Sequence, residues 1–491
     1  MPSSPHPSFP LNEKLAMTKS IKVGLYGIGL ETYWPQFEGL YDRLLDYQSQ
    51  IKTKLTRPGI EVVDLGMIDN PEKAQVAAKI LQEKDVELII LYVSTYALSS
   101  TVLPVVKKLN KPVVVLNLQP VSAINYSQFN SLGDRTRMTG EWLAHCQACS
   151  MPEIANAFLR AGVKFYPITG VLNNDPYVEQ ELSEWLNVAQ VASTLRSSRI
   201  GLVGHYYNGM LDVYSDLTRL SAQIGPHFEI REFGEILAER DQVTSDEIKE
   251  KIKEIEEMFD VQDDCTSYEI ERAARTSVAL DRFVEKNRLS GMAYFYNGFG
   301  DSRYQDLIAS VIIGNSILTA RHVPVAGEYE VKNCLAMKIM DSFNIGGAFS
   351  EFYALDFDDD VVLLGHDGPC HPRIAQGKTK IKPLYVYHGK VGDGLSVETS
   401  VKYGPTTLLS VVDSPDGNAK FLVAEGESTP GPILEIGNTN SRYRFPIGAR
   451  NFVDAWSQHG PSHHCAIGTG HNAEQLKKLA SVLQIDYVKV C

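Results

Sequence analysis

Four segments in the second half of the chain carry glutamate or histidine residues of the types that bind divalent cations. They are Glu328 and Glu330 before the amphipathic stretch VKNCLAMKIM, Glu351 in GGAFSEFYALDF, His366 at the end of VVLLGH, and the pair His463-His464 in HGPSHHCAIGTG. Two carboxylates and two imidazoles would balance the charge of one divalent cation. Their mixed oxygen and nitrogen atoms suit Mn²⁺, Co²⁺ or Fe²⁺ better than Ca²⁺.

Each of these residues also has a purely structural interpretation. Glu328 could be a carboxylate placed favourably at the N-terminus of a helix. Glu351 could be a salt-bridged core residue, and His366 a buried histidine with its hydrogen bonds satisfied. The His463-His464 pair could belong to a surface loop. Residue types alone leave both interpretations open.

A cation held by four protein side chains keeps two of six octahedral positions for another molecule. Two neighbouring oxygens of an open-chain sugar would fill those positions, and the cation would polarise the carbonyl and stabilise an enediolate. A glutamate with a free carboxylate oxygen can carry a proton between C1 and C2. The residue set is therefore compatible with aldose–ketose chemistry once a cation is bound, although residue types alone do not select these four side chains.

Alternating strands and helices predict an N-terminal doubly wound α/β domain over residues 21–190. Its predicted strands are IKVGLYGIG, IEVVDLGMI, ELIILYVSTY and PVVVLNLQP, and its first helices are WPQFEGLYDRLLDYQSQIKTKL and PEKAQVAAKILQEK. A second α/β domain over residues 191–345 begins at SRIGLVG and continues through FEIREFGEI, SDEIKEKIKEIEEMF, GMAYFYN and LIASVIIGNSIL.

From residue 346 onward, short alternating strands separated by Gly, Pro, Asp and Asn turns predict an antiparallel, barrel-like domain over 346–491. The predicted strands are VVLLGHDGP, PLYVYHGKV, LSVETSVKYG, TTLLSVVDSP, NAKFLVAEGEST and GPILEIGNTN. The helix AEQLKKLASVLQ and the strand DYVKV close the chain. The predicted fold class is two Rossmann-like doubly wound α/β domains followed by an antiparallel β-barrel-like domain.

Composition excludes several classes of function. The chain has 47 Lys and Arg against 60 Asp and Glu, a formal charge of −13, which disfavours a nucleic-acid partner. No apolar run is long enough for a membrane helix. The spacing of Gly24, Gly27 and Gly29 is not that of a dinucleotide-binding turn, so no nucleotide cofactor is predicted.

The N-terminal residues 1–20 are rich in proline and serine and are predicted to be a disordered tail. Translation could begin at Met1 or Met17. With no secretory h-region, the chain is expected in the cytoplasm. Cys146 and Cys149 form a lone C-x-x-C motif in a helix-like segment, and buried thiols are favoured there over metal or redox chemistry.

The spacing of these motifs resembles the L-arabinose isomerase and L-fucose isomerase superfamily, most closely the L-arabinose isomerase-like proteins. The matching positions are Glu328 with Lys332, Gly346-Gly347 with Glu351, Gly365-His366, and His463-His464. The resemblance implies that Glu328, Glu351, His366 and His464 bind the metal, with Glu328 and Glu351 catalytic. It also implies Mn²⁺, or Co²⁺, Fe²⁺ or Mg²⁺, and a homohexamer or trimer with active sites at subunit interfaces.

Two departures from the family pattern concern the substrate. The stretch GLYGIGLETYWPQFEG lacks the family's Gln-His-Leu, and Phe352 stands where the family has an acidic residue. Specificity for a pentose or hexose is therefore left open. The residues predicted to contact substrate are His463, Gln119, Met210, Phe299, Glu31 and Trp34.

The expected function is an L-arabinose to L-ribulose type of isomerisation. An L-fucose isomerase-like enzyme, or another isomerase, epimerase or lyase on the same scaffold, is the alternative. Since paired α/β domains also make hinged sugar-binding proteins, a non-catalytic sugar-binding protein is a further alternative.

Overall fold

The computed structural model describes residues 20–297, 302–385 and 392–491. The chain divides into two compact units, Thr18–Ser193 and Thr194–Cys491. All but the last residue of the predicted tail, 1–20, lies outside the described residues. Among the helices described, none has the length and apolar character needed to cross a membrane.

The N-terminal unit is built on five parallel strands. They are β1 Ile21–Ile28, β2 Ile60–Ile68, β3 Leu88–Tyr92, β4 Val113–Gln119 and β5 Phe165–Val171. Their order in the sheet is β2-β1-β3-β4-β5. All of β3 and nearly all of β4 is buried, as expected for strands covered by helices on both faces. This confirms the doubly wound α/β prediction.

Helices connect and cover these strands. They are α1 Leu40–Leu55, α2 Pro71–Lys84, α3 Ser99–Val106, α4 Tyr126–Ser131, α5 Arg135–Leu143, α6 Met151–Arg160 and α7 Pro176–Ser197. The first helix begins six residues later than predicted, after Gly39, whose φ of 77° is outside the helical range. The second matches its prediction, because Asn70 accepts a hydrogen bond from the Lys73 N–H and Pro71 opens the helix.

The predicted helix around the C-x-x-C motif is interrupted. Helix α5 ends at Leu143 and α6 begins at Met151, with a turn between them. In that turn Cys146 and Cys149 are joined by a disulfide, their Cα atoms 5.4 Å apart. The prediction of two buried thiols was therefore wrong. The helix break exposes Cys149 while leaving Cys146 buried.

The C-terminal unit begins with a second parallel sheet. Its strands are β6 Arg199–Gly204, β7 His227–Arg231, β9 Gly291–Phe295 and β10 Val325–Ala326. The short strand β8 Asp260–Val261 lies outside this sheet. The sheet order is β10-β9-β6-β7. The accompanying helices are α8 Leu217–Ile224, α9 Phe233–Arg240, α10 Ser245–Met258, α11 Ser267–Asn287, α12 Ser302–Ile308, α13 Val311–Ala320 and α14 Val331–Ser342.

The rest of this unit is mainly antiparallel. Its elements are β11 Gly346–Asp356, β12 Val361–His366, β13 Lys380–Leu384, β14 Gly394–Glu398, β15 Gly404–Asp413, β16 Ala419–Thr429, β17 Thr439–Arg444, β18 His464–Thr469 and β19 Asp486–Lys489, with helices α15 Ala449–Gln458 and α16 Ala473–Leu483. Six strands close in the order β15-β18-β11-β12-β17-β16, since β16 also pairs with β15. This confirms the predicted barrel.

The segment FEIREFGEI contains two elements, because β7 ends at Arg231 and the capping box of Glu232 and Glu235 starts α9. Two local predictions in the C-terminal unit were wrong. GPILEIGNTN contains no strand before Thr439. The segment around the His463-His464 pair, predicted to be a loop, contains strand β18 from His464, because the short apolar run there pairs with β11 and β15.

Candidate metal centre

The pairing of three barrel strands brings three of the predicted ligands together. Glu351 on β11 lies opposite His464 on β18 and opposite Gly365 on β12. His366 is the last residue of β12. Side chains at paired positions of neighbouring strands lie about 4.5–5.5 Å apart at Cβ. The register therefore places Glu351, His366 and His464 at one end of the barrel.

Glu328 reaches the same place from the turn between β10 and α14. Glu328 and Tyr329 both have left-handed backbone conformations, with φ of 58° and 59°, which residues other than glycine rarely adopt. Hydrogen bonds from the Tyr329 N–H to the Tyr294 carbonyl, 3.0 Å, and from the Glu330 N–H to the Gly327 carbonyl, 2.9 Å, hold the turn. Backbone strain of this kind is concentrated at functional sites.

Two overlapping sets of possible ligand atoms lie here. Atoms of Glu328, His366 and His464 lie within 4.8 Å of one another, and so do atoms of Glu351, His463 and His464. Since His464 belongs to both sets, all four side chains assigned to the metal from the sequence meet in one cluster. His463 is the additional member. This clustering makes the side chains candidates for binding a cation.

His464 is oriented as a metal ligand would be. Its Nδ1 atom is hydrogen-bonded to a carboxylate oxygen of the buried Glu330. Its buried Nε2 atom makes no hydrogen bond within the described residues and lies 3.5 Å from Oε2 of Glu328. A carboxylate on one imidazole nitrogen commonly fixes the tautomer of a metal-bound histidine and leaves the other nitrogen for the metal.

The role of Glu330 was not predicted, although its position beside Glu328 was noted. Glu330 lies two residues from Glu328 at the start of a helix, and the sequence gives no reason to assign one of them to the metal and the other to a histidine. Only the position of His464, 134 residues further along the chain, distinguishes the two carboxylates.

Packing also restricts the two histidine rings. The ring of Phe349 lies 4.4 Å from that of His366 and 4.3 Å from that of His464, measured between centroids. The two imidazoles are 5.1 Å apart. Since all three side chains are buried, ring rotation would require the surrounding barrel core to move.

His463 lies between two carboxylates. Its Nδ1 is 2.6 Å from Oδ2 of Asp212, and its Nε2 is 3.3 Å from Oε2 of Glu328. Burial acts to lower its pKa, but the hydrogen bonds to Glu328 and Asp212 outweigh burial and raise the pKa of His463 to about 9. Asp212 was not predicted, because nothing in its sequence neighbourhood marks it as a partner of a residue 251 positions away.

A cavity of about 180 Å³ opens beside the cluster. Its polar lining includes Glu328, Glu351, His366, Asp367 and His463, and its less polar lining includes Met210, Tyr207, Tyr294, Ile308, Val311 and Ile312. Pockets for drug-sized molecules are larger, about 300–1,000 Å³. The cavity therefore suits a ligand no bigger than a simple sugar.

Met210 and His463, two of the residues predicted to contact substrate, line this cavity. Glu31, Trp34 and Gln119 lie in the N-terminal unit, where they follow β1 or end β4 at the carboxyl edge of the sheet. There Trp34 Nε1 donates to Asp69, 2.9 Å, and Glu31 accepts from Asn70, 2.9 Å. Phe299 lies outside the described residues.

Comparison with known proteins connects these features to one family. Residues 346–486 match the model of the L-arabinose isomerase C-terminal domain. L-arabinose isomerase 1 of Bacillus licheniformis is 20% identical over 409 residues, covering 82% of this chain and 80% of that protein. The chain is similar to L-arabinose isomerases over most of its length, and residues 346–486 carry the match to their C-terminal domain. The matched L-arabinose isomerase domain contains Glu351, His366 and His464.

Another relative, L-arabinose isomerase of Serratia proteamaculans, is 22% identical over 338 residues, and the match covers 64% of this chain and 65% of that protein. Among solved structures, a UDP-GlcNAc 2-epimerase from Methanocaldococcus jannaschii is 13% identical, with a TM-score of 0.13, over 66% of this chain and 92% of that one. A TM-score this low carries no argument about fold or activity.

Proposed function

We propose that this protein is a metal-dependent aldose–ketose isomerase that acts on a pentose or hexose, in a reaction of the L-arabinose to L-ribulose type. The observation that carries the proposal is the convergence of Glu328, Glu351, His366 and His464 beside one cavity. These side chains come from four separate segments of the chain. The relatives named L-arabinose isomerase support an aldose–ketose isomerase.

The four side chains fit a divalent cation. The buried Nε2 of His464, with its Nδ1 bonded to Glu330, is an imidazole nitrogen ready to bind a metal. Two carboxylates and two imidazoles favour Mn²⁺, with Co²⁺, Fe²⁺ or Mg²⁺ as alternatives. When bound, such a cation supplies Lewis-acid polarisation of the two sugar oxygens next to the reacting carbons.

In the proposed mechanism, Glu328 and Glu351 move the proton. One carboxylate removes the proton from C2 of the open-chain aldose to give the enediolate, the O2 hydroxyl proton passes to O1, and the resulting carboxylic acid or its neighbour returns a proton to C1. Two carboxylates in one small site take opposite roles readily, because protonation of one relieves repulsion between them. Both glutamates line the cavity.

The remaining lining would exclude water from the reacting carbons. Ile308, Val311 and Ile312, which are buried members of the central core, form an aliphatic part of the cavity wall. Water exclusion strengthens the electrostatic interactions inside a site and protects an enediolate from side reactions. The oligomeric assembly and the cytoplasmic location expected from the sequence stay predictions.

A panel of aldopentoses and aldohexoses tests the proposal. The protein is stripped of metal with a chelator, reloaded with Mn²⁺, and assayed for ketose formation by NMR. We expect at least one aldose to be converted by the reloaded protein and none by the stripped protein. A fully Mn²⁺-loaded protein that converts no aldose contradicts the proposal, and so does conversion that is equal without metal.

A further inference from the structure

Asp212 belongs to no barrel strand, yet it contacts the cavity histidine directly. It lies in a short 3₁₀ helix, Leu211–Val213, between β6 and α8. One oxygen, Oδ2, lies 2.6 Å from Nδ1 of His463 and accepts a hydrogen bond of 3.1 Å from the His463 main-chain N–H. Both the ring and the backbone of His463 are therefore held by one carboxylate.

This two-point contact determines which ring nitrogen faces the cavity. Since an ionised carboxylate only accepts hydrogen bonds, Nδ1 of His463 carries a hydrogen. Nε2 then lies on the opposite side of the ring, towards Glu328 at 3.3 Å. A rotated ring would lose the bond to Asp212 and would alter the tilted ring contact with His464, whose centroid is 3.8 Å away.

The segment that carries Asp212 is itself anchored to the metal-binding region. The ammonium group of Lys332, near the start of α14, donates to the Asp212 main-chain oxygen at 2.8 Å and to Oδ2 of Asp413 at 3.1 Å. The hydroxyl of Ser462 lies 3.3 Å from the same main-chain oxygen. The carboxylate is thus fixed relative to both α14 and the start of β18.

We infer that Asp212 is a positioning residue that acts through His463. It holds the imidazole in the orientation in which Nε2 faces the cavity, so that this nitrogen hydrogen-bonds to an oxygen of the sugar. The inference rests on the proposed function for the identity of the ligand. Asp212 is in neither set of possible metal ligands, but His463 is in one of them, so metal content is measured in every variant.

The first test uses Asp212→Ala and Asp212→Asn. Loss of a group that orients a functional histidine typically costs about 10- to 100-fold in activity, and we expect kcat/KM of Asp212→Ala to fall by that factor. Asp212→Asn should lose less, because its amide oxygen still accepts from Nδ1. Mn²⁺ content and affinity should stay at wild-type values in both. Asp216→Asn, which changes the N-cap of α8 in the same segment, is the matched control and should be unaffected.

A double-mutant cycle separates positioning from a structural role. If Asp212 acts through His463, the double variant Asp212→Ala/His463→Ala should be no less active than His463→Ala alone. Losses that multiply in the double variant overturn the inference. So does loss of Mn²⁺ from Asp212→Ala at a concentration that saturates the wild type.

The orientation of the His463 ring can be measured without an activity assay. A crystal structure of metal-free Asp212→Ala should show the His463 ring rotated from its wild-type position, and an unmoved ring overturns the inference. If the wild-type protein isomerises no aldose, the proposed function fails, while this crystallographic comparison still decides whether Asp212 positions His463.

Discussion

The two ends of helix α14 carry similar residues in different electrostatic environments. At the C-terminal end, the buried Asp341 lies 3.0 Å from Nζ of Lys338 and 2.8 Å from Nδ1 of His322. Arg373 lies 2.8 Å from Nε2 of the same His322. At the N-terminal end, Glu330 contacts His464, and Glu328 lies close to His463 and His464.

The difference lies in what neutralises the carboxylates. Burial acts to raise the pKa of Asp341, but Lys338 and His322 outweigh it and hold this pKa well below its usual range. That end of the helix therefore contains its own cations. At the other end the contacts are with imidazoles, which are neutral when they bind a metal. In the proposed function a divalent cation would complete the acid–imidazole cluster, whereas the Asp341 cluster is neutralised by the protein's own side chains.

Replacing one histidine of each cluster by alanine should show the difference between the two clusters most clearly. We expect His366→Ala to lose most of its metal and nearly all isomerase activity with its circular dichroism unchanged, because it removes one of four ligands. His322→Ala should keep its metal and activity. Elemental analysis of both purified variants measures this. Unchanged metal content in His366→Ala would show that the ligand assignment is wrong.

The glutamates can be tested without removing their side-chain volume. Glu328→Gln and Glu351→Gln should each lower turnover by a factor of about 10² or more, the scale for loss of a positioned acid or base. Asp341→Asn, at the other end of α14, should keep turnover. Metal occupancy must be measured in each variant. Either glutamine variant with full metal and near-normal turnover would exclude that glutamate from the mechanism.

At the C-terminal end of α14, loss of a charged side chain should lower the free energy of unfolding and leave the metal site intact. Lys338→Met removes one partner of a buried pair, which typically costs about 3–5 kcal/mol. Lys249→Met breaks an exposed pair with Asp246 and should cost about 0–1 kcal/mol. Urea denaturation of the two variants measures the difference, and equal midpoints would contradict it.

His371 should make this region sensitive to acid. Burial, assisted by Arg373 and His322 and opposed by Asp341, lowers the pKa of His371 from 6.5 to about 4. The unfolded chain therefore binds a proton at higher pH than the folded chain, so stability is complete above pH 6.5 and falls as pH decreases towards 4. The loss at the acid end is about 3 kcal/mol for a shift of this size.

Replacing His371 isolates its contribution to the loss of stability in acid. His371→Gln should lose less free energy of unfolding between pH 6.5 and 4 than the wild type, and the partly exposed His459→Gln should not differ from wild type. Urea denaturation at several pH values provides the measurement. An identical acid dependence in wild type and His371→Gln would assign the effect to other groups.

The parts of the fold that the sequence predicts are those with strong local signals. Strand β4 and the capped helix α2 were predicted nearly to the residue, and the apolar run ELIILYVSTY was correctly predicted to contain a strand, although β3 ends at Tyr92. Strand β18 was not, because a three-residue apolar run between glycines is too short to indicate a strand without its partners β11 and β15.

The same limit applies to the candidate site. Residue types and family spacing predicted Glu328, Glu351, His366 and His464, which the structure brings together. Spacing gives no information on the left-handed backbone of Glu328, on Glu330 as the partner of His464, or on Asp212 as the partner of His463. The two partner contacts join segments more than one hundred residues apart, and the turn at Glu328 depends on a hydrogen bond to Tyr294 in the neighbouring strand β9.

The pairing of β18 with β11 has a consequence for synthesis of the chain. During translation, residues emerge from the N-terminus onward, at about 5–20 residues per second. Glu330 is made 134 residues before His464, and β18 lies near the end of the chain. A nascent chain therefore carries its glutamates for several seconds before β18 exists, so the proposed metal site cannot form until this strand has been made.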